Sequence, residues 1–223
     1  MKASAAQSTL LDDTAPTPNE DRERVFDALA LWQAPATANQ LIELLGAAAL
    51  RTTRGSGFHN AEVRRLLDEL ADLGLASRDD RGRWSAAREP GWQRFRALVQ
   101  DDAQRERWWR AWRSRHHFET TWRIEMFDSA SVAGAMRVVI HCGRSVDTFN
   151  RLTTLIGPNP HAVAGLYQAL LDPFDAELIG RLGTPFACAL ANTLLAAVAD
   201  DADPAIVPLL DWLLAKARAT PDQ

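Results

Sequence analysis

Apolar and polar positions follow two different periods along this chain, and the change from one to the other is clearest between His59 and Ser85. Val63, Leu66, Leu67, Leu70 and Leu73 fall at i, i+3, i+4, i+7 and i+10, which lines one face of a helix with apolar side chains. Asn60 stands where a helix takes its N-cap. Gly74 stands where it takes a left-handed terminal residue, with Leu75 placed to fold back on the last turn. The helix is expected to end near Leu73. Beyond it, Leu75 to Arg78 and Arg83 to Ser85 read as short strands joined by Asp79-Asp80-Arg81-Gly82, whose composition suits a tight turn.

Upstream, the same periodicity predicts two more helices. From Glu20, the residues Val25, Phe26, Leu29 and Trp32 share one face, and acids occupy the first turn, where the helix dipole favours them. Pro35 ends that helix and Thr37 caps the next, whose apolar face is Leu41, Ile42, Leu44 and Leu45. Ala47 to Leu50 reads as its continuation, which leaves Arg51 to Gly57 as a flexible basic loop. Residues 1–19 are small, polar and acidic, the composition of a disordered leader.

With two helices ahead of it, the stretch VRRLLDELADLGLASRDDRGRW resembles the third helix and wing of winged helix-turn-helix domains, a likeness covering about residues 21–85. The connection from Gly46 to Phe58 is longer than in a simple helix-turn-helix. The resemblance implies three helices plus a β-hairpin wing, with the first two turns of the third helix entering a DNA major groove. Asn60, Arg64 and Arg65 would then reach base edges or phosphates, and Arg78, Arg81 and Arg83 on the wing would hold flanking phosphates. Arg51 and Arg54 in the loop would touch the backbone next to that helix. Asp68, Glu69 and Asp72 oppose a polyanion, so only the first half of the helix suits the groove. The other reading of the same residues is a solvated helix, hairpin and loop in a domain that binds protein.

After the hairpin, Pro90 is placed to begin a helix that buries Trp92, Phe95 and Leu98 or Val99. Asp101 or Asp102 begins the next, which sets Trp108, Trp109 and Trp112 on adjoining rows among five arginines. Packing between two domains is the expectation, and a stacking platform for unpaired bases is the alternative. Phe118 to Phe127 alternates weakly and fits a strand or a helix equally. From Ser129 onward, Gly and Pro punctuation separates six helical segments. Two of them, from Asn159 and Asp203, share Pro160/Pro204, Val163/Val207, Leu166/Leu210 and Leu170/Leu214. That echo suits HEAT-like helical hairpins or an irregular bundle. The expected fold is therefore mainly α, with a leader over 1–19, a winged helix-turn-helix domain over 20–89 and a Trp/Arg-rich connecting segment over 90–128. A helical bundle or short α-solenoid over 129–223 completes it.

Charge changes the picture only by location. Net charge is −4 over 223 residues, yet residues 22–123 hold 18 Arg against 14 acids, so any nucleic-acid surface belongs to that middle section. Cys142 and Cys188 are too few for a disulfide framework and are expected to pack as small hydrophobes in a reducing cytoplasm. No signal peptide is visible, and the longest nearly apolar run, Phe186 to Ala199, is too short to span a bilayer. A soluble cytoplasmic protein without a membrane partner is expected.

Candidate chemistry is sparse. His116, His117, His141 and Cys142 are the only cluster of metal-capable residues, and neighbouring side chains on a helix diverge by about 100°. No P-loop, Gly-x-Ser-x-Gly elbow, Rossmann fingerprint or His-Glu-x-x-His helix is present. The expectation is a protein that is not an enzyme, with no cofactor, metal or small-molecule ligand. Its expected function is that of a DNA-binding winged-helix protein, regulatory or architectural, with a helical assembly or effector domain. Its partners would be double-stranded DNA and either another protein or a second copy. The competing class is a protein-interaction adaptor, or an N-terminal module or subunit of a larger ATP-dependent nucleic-acid machine.

Overall fold

Helix α1 (Pro18–Trp32) is the piece against which much of the first half of the computed structural model packs. Residues 18–116, 128–156, 161–197 and 204–219 are described; most of the expected leader and the alternating run from Phe118 to Phe127 lie outside them. After α1 come α2 (Ala38–Ala47), α3 (Asn60–Asp72), strands β1 (Ala76–Arg78) and β2 (Trp84–Ala86), α4 (Arg88–Gln100), α5 (Asp102–Arg115) and α6 (Ser129–Val138). A π-helical turn, Val139–Gly143, leads to α7 (Val146–Ile156), α8 (Ala162–Leu171), α9 (Ala176–Gly180), α10 (Thr184–Ala197) and α11 (Val207–Ala219). The described chain is thus mainly helical, with one small antiparallel sheet.

The spacing of Val25, Phe26 and Leu29 predicts a one-sided helix, and all three are buried, but so are Ala28, Ala30 and Leu31. The reason is tertiary. Elements α2, α3, β2, α4 and α6 all pack against α1, so its apolar surface is wider than a surface helix would need. The helix also starts earlier than expected, with Pro18 in its opening turn, where a missing N–H costs nothing. It ends ahead of Pro35, at Gln33, which takes φ 55 and donates its side-chain amide to the Ala30 carbonyl.

Thr37 and Gln40 form a capping box at the start of α2: the Thr37 hydroxyl accepts from the Gln40 N–H at 3.3 Å, and Gln40 Oε1 accepts from the Thr37 N–H at 2.7 Å. The helix does not continue to Leu50. Ala49 turns left-handed at φ 55, and the Ala49 and Leu50 N–H groups return to Gly46 and Leu45 at 3.0 Å each, which closes the helix one turn early. Nor is the segment after it a loose loop. Asp21 on α1 accepts from the Thr53 N–H at 2.7 Å and its hydroxyl at 2.8 Å, Thr52 is buried, and Arg24 donates to the Arg51 carbonyl.

At the start of α3 the N-cap is His59, whose backbone is extended and whose side chain makes no cap bond. Asn60 is the first helical residue instead, and its amide is drawn to Asn39. Val63, Leu66, Leu67 and Leu70 are buried, whereas Leu73 is 55% exposed because it sits at the edge of the stripe, past the last neighbour. Leu75 takes its place against the core. Its N–H returns to Leu70 at 2.8 Å and that of Gly74, at φ 71, to Ala71 at 2.9 Å, the paired bonds of a Schellman ending. The hairpin then pairs Ala76 with Ala86 and Arg78 with Trp84. Gly82, at φ 74, closes the turn by donating to the Asp79 carbonyl at 2.9 Å. Strand β2 is also anchored outward: Ala36, between α1 and α2, exchanges bonds of 2.8 and 2.7 Å with Trp84.

Pro90 lies third in α4 rather than first, still inside the turn whose N–H groups have no helical acceptor. Trp92, Phe95, Leu98 and Val99 are all buried. Asp101 caps α5 through the Gln104 N–H at 2.9 Å. Its three tryptophans are core: Trp108 is 0% exposed, and Trp109 and Trp112 stack with centroids 5.8 Å apart. One continuous apolar cluster runs from Val25 to Leu209, across both expected domains. Close helix approach supports it, since a Cβ on Gly165 of α8 would lie 2.4 Å from Val132 Cγ1 of α6, and one on Gly134 of α6 would lie 2.8 Å from the Trp32 carbonyl.

In the last helices, Leu166 and Leu170 are buried while Leu214, at the equivalent place 44 residues on, is 54% exposed. Cys142 is buried, but Cys188 is exposed, because α10 buries the row Ala187, Leu190, Ala191 and Leu194 and turns its neighbour outward. Among the described residues no helix is long and apolar enough to cross a membrane, and no three His, Cys, Asp or Glu are grouped to hold a metal ion.

His141 sits on the π-helical turn, buried edge-on to Phe95 at 5.9 Å between centroids. Burial, with Arg137 and Arg144 adding repulsion, pushes its imidazole down to about 3. The unfolded chain takes up that proton near pH 6.5 and the folded one does not, so stability is full above 6.5 and is lost as pH falls towards 3. His141→Leu is expected to flatten that limb. Urea unfolding of both proteins between pH 7 and 4 checks it: the stability difference should move in favour of the variant as pH drops.

Candidate nucleic-acid interface

The N-terminal turns of α2 and α3 and the hairpin face one another across a polar groove of about 440 Å³. Three local features build it. The Leu stripe turns the opposite face of α3 outward, the capping box fixes the start of α2, and the Ala36–Trp84 bridge seats the hairpin against both. Thr37, Asn39, Asn60, Arg64, Arg78 and Arg81 line the groove, with Asp68 as its acid.

The structure divides the eight residues singled out by sequence. Asn60, Arg64, Arg78 and Arg81 come together in the groove. The Arg78 guanidinium lies over the Trp84 ring, 5.5 Å from its centroid, and Gly82 lets it approach, since a Cβ there would be 3.3 Å from its terminal nitrogen. Among the described residues, the side chains of Arg64, Arg78 and Arg81 make no ion pair or hydrogen bond. Arg65, on the neighbouring row of α3, is paired with Glu69. Arg83 is turned away: its Nε donates to Asp79 Oδ2 at 2.8 Å, and its guanidinium comes within 3.9 Å of Asp128. Arg51 and Arg54 are exposed on the loop tied to α1 and do not line the groove.

Electrostatically the groove is positive on balance. Asp79 is occupied by the turn: the Arg83 backbone N–H at 2.8 Å, aided by the Arg83 side chain and the Arg81 N–H, holds its carboxyl below the usual carboxylate range. Glu69 is neutralised by Arg65, which leaves Asp68 facing three arginines. Both helices also begin at the groove, adding the partial positive charge of their unsatisfied N–H groups. Such an arrangement can hold phosphate oxygens.

Asn39 is the groove residue that sequence reasoning missed. It carries no motif, and only folding brings it beside Asn60, 21 positions further on. Compared with known proteins, the chain matches no family model, no curated protein and no solved structure.

Proposed function

We propose that this protein binds double-stranded DNA through the groove between α3 and the hairpin. The observation that carries this reading is the convergence of three arginines whose side chains make no ion pair or hydrogen bond among the described residues, Arg64, Arg78 and Arg81, beside the starts of two helices. A winged-helix arrangement is the fold we assign to this part. Three helices followed by a hairpin that is bridged back to the α1–α2 connection support it. The helices from α6 onward would then serve assembly or an effector contact, and the unequal burial of Leu170 and Leu214 favours an irregular bundle over HEAT-like hairpins.

One observation favours the adaptor reading. Asp68 and Asp72 keep the second half of α3 acidic, which suits a protein surface better than a phosphate backbone. Salt separates the two. Each neutralised phosphate contributes about −0.9 to the slope of log affinity against log salt, so three arginines give a slope of roughly −3, and raising salt from about 50 to 200 mM weakens binding roughly 40-fold. Fluorescence anisotropy with a mixed-sequence duplex across that range is the test. No salt-sensitive binding even at low ionic strength would remove the DNA reading and leave the adaptor in its place.

A further inference from the structure

We infer that Asn60 reads an adenine edge in the major groove, with Asn39 as the residue that positions it. This rests on the DNA reading above and adds a base to it. Asn60 donates its side-chain N–H to Asn39 Oδ1 at 2.5 Å, and both residues line the groove among the three arginines. Asparagine has two amide N–H groups and one carbonyl, so this bond uses one of three functions. A second N–H and the carbonyl of Asn60 remain, a donor and an acceptor on one planar amide.

Adenine alone offers the complement of that pair in the major groove, an N7 acceptor beside an N6 donor; guanine presents two acceptors, cytosine a donor, and thymine an acceptor with a methyl group. With the oxygen and nitrogen of both amides exchanged, the Asn60 carbonyl would accept from Asn39 and keep its second lone pair beside two N–H groups, so a donor and an acceptor remain in that arrangement too. Asn39 supplies what an exposed asparagine lacks, a fixed orientation, because its own place in the second position of α2 is set by the capping box at Thr37. The division of labour follows: Arg64, Arg78 and Arg81 hold phosphates without regard to sequence, and the Asn39–Asn60 pair selects the base.

Selection of duplexes from a randomised library, followed by titration of the best site and of the same site with one A·T pair changed to G·C, tests this. The wild-type chain should prefer adenine at one position by roughly 5- to 150-fold, the equivalent of about 1–3 kcal/mol. Asn60→Ala should abolish that preference and leave the salt slope near −3. Asn39→Ala should reduce it at an unchanged melting temperature. Asn39→Asp, which keeps the accepting oxygen, should retain it at a uniformly lower affinity. A wild-type chain that binds with the expected slope but without adenine preference, or an Asn60→Ala variant that keeps the preference, overturns the inference and leaves DNA binding intact. Full preference in Asn39→Ala overturns the role given to Asn39. Equal binding of duplex RNA, whose narrow major groove excludes side chains, also overturns it. Absence of salt-sensitive binding by the wild type removes the DNA reading itself.

Discussion

Replacing Trp108 by alanine is expected to destabilise the folded chain by roughly 3–5 kcal/mol, the usual range for deleting a buried aromatic side chain. Trp108 is 0% exposed on α5, and α5 packs against α2, α4 and the π-helical turn, so the cavity would open where the first helices meet the later ones. The indole also carries a cost of its own, because Trp108 Nε1 is buried and has no hydrogen-bond partner among the described residues. Trp108→Phe removes that orphaned donor along with part of the volume, and should cost clearly less than the alanine change. Urea unfolding followed by circular dichroism measures both. An alanine variant within about 1 kcal/mol of wild type would mean that α5 is not the seat of the core.

The triple variant Arg64→Ala, Arg78→Ala, Arg81→Ala is expected to lose DNA binding without losing the fold. Removing three phosphate contacts should lower affinity roughly 100- to 1000-fold at low salt and take the slope from about −3 towards zero. Stability should change by less than about 1 kcal/mol, chiefly through the contact of Arg78 with Trp84. Arg65→Ala and Arg83→Ala are the informative controls. Arg65 is held by Glu69, and Arg83 by Asp79, so neither should alter the slope, although Arg83→Ala should loosen the hairpin. Among the described residues, two of the five arginines on α3 and the hairpin are ion-paired and three are not. A slope unchanged in the triple variant would place the binding surface elsewhere.

Local features were readable in the chain because their causes are local. The stripe of Val63, Leu66, Leu67 and Leu70, the ending at Gly74, the Thr37 cap and the turn closed by Gly82 all follow from helical spacing, backbone freedom and side-chain to backbone bonds within a few residues. Local rules also marked the misreadings. Ala49 shows no glycine at a left-handed ending, so the early stop of α2 is invisible in composition.

What the sequence by itself determined is the order and type of the elements, from three helices and a hairpin to an α-helical remainder, and the general region of positive charge. Tertiary structure decided the rest. It buried α1 on nearly every side, because α4 and α6 return to it from far along the chain. It added ion pairs between residues remote in sequence, with Arg83 reaching Asp128, Arg94 pairing with Asp27 and Arg88 with Asp172, beside the local pairs of Arg65 with Glu69 and Arg83 with Asp79. It also put Asn39 beside Asn60. Helical period and turn chemistry act over a few residues and can be read along a line, whereas burial and charge pairing depend on three-dimensional distance, which exists only once the chain has folded.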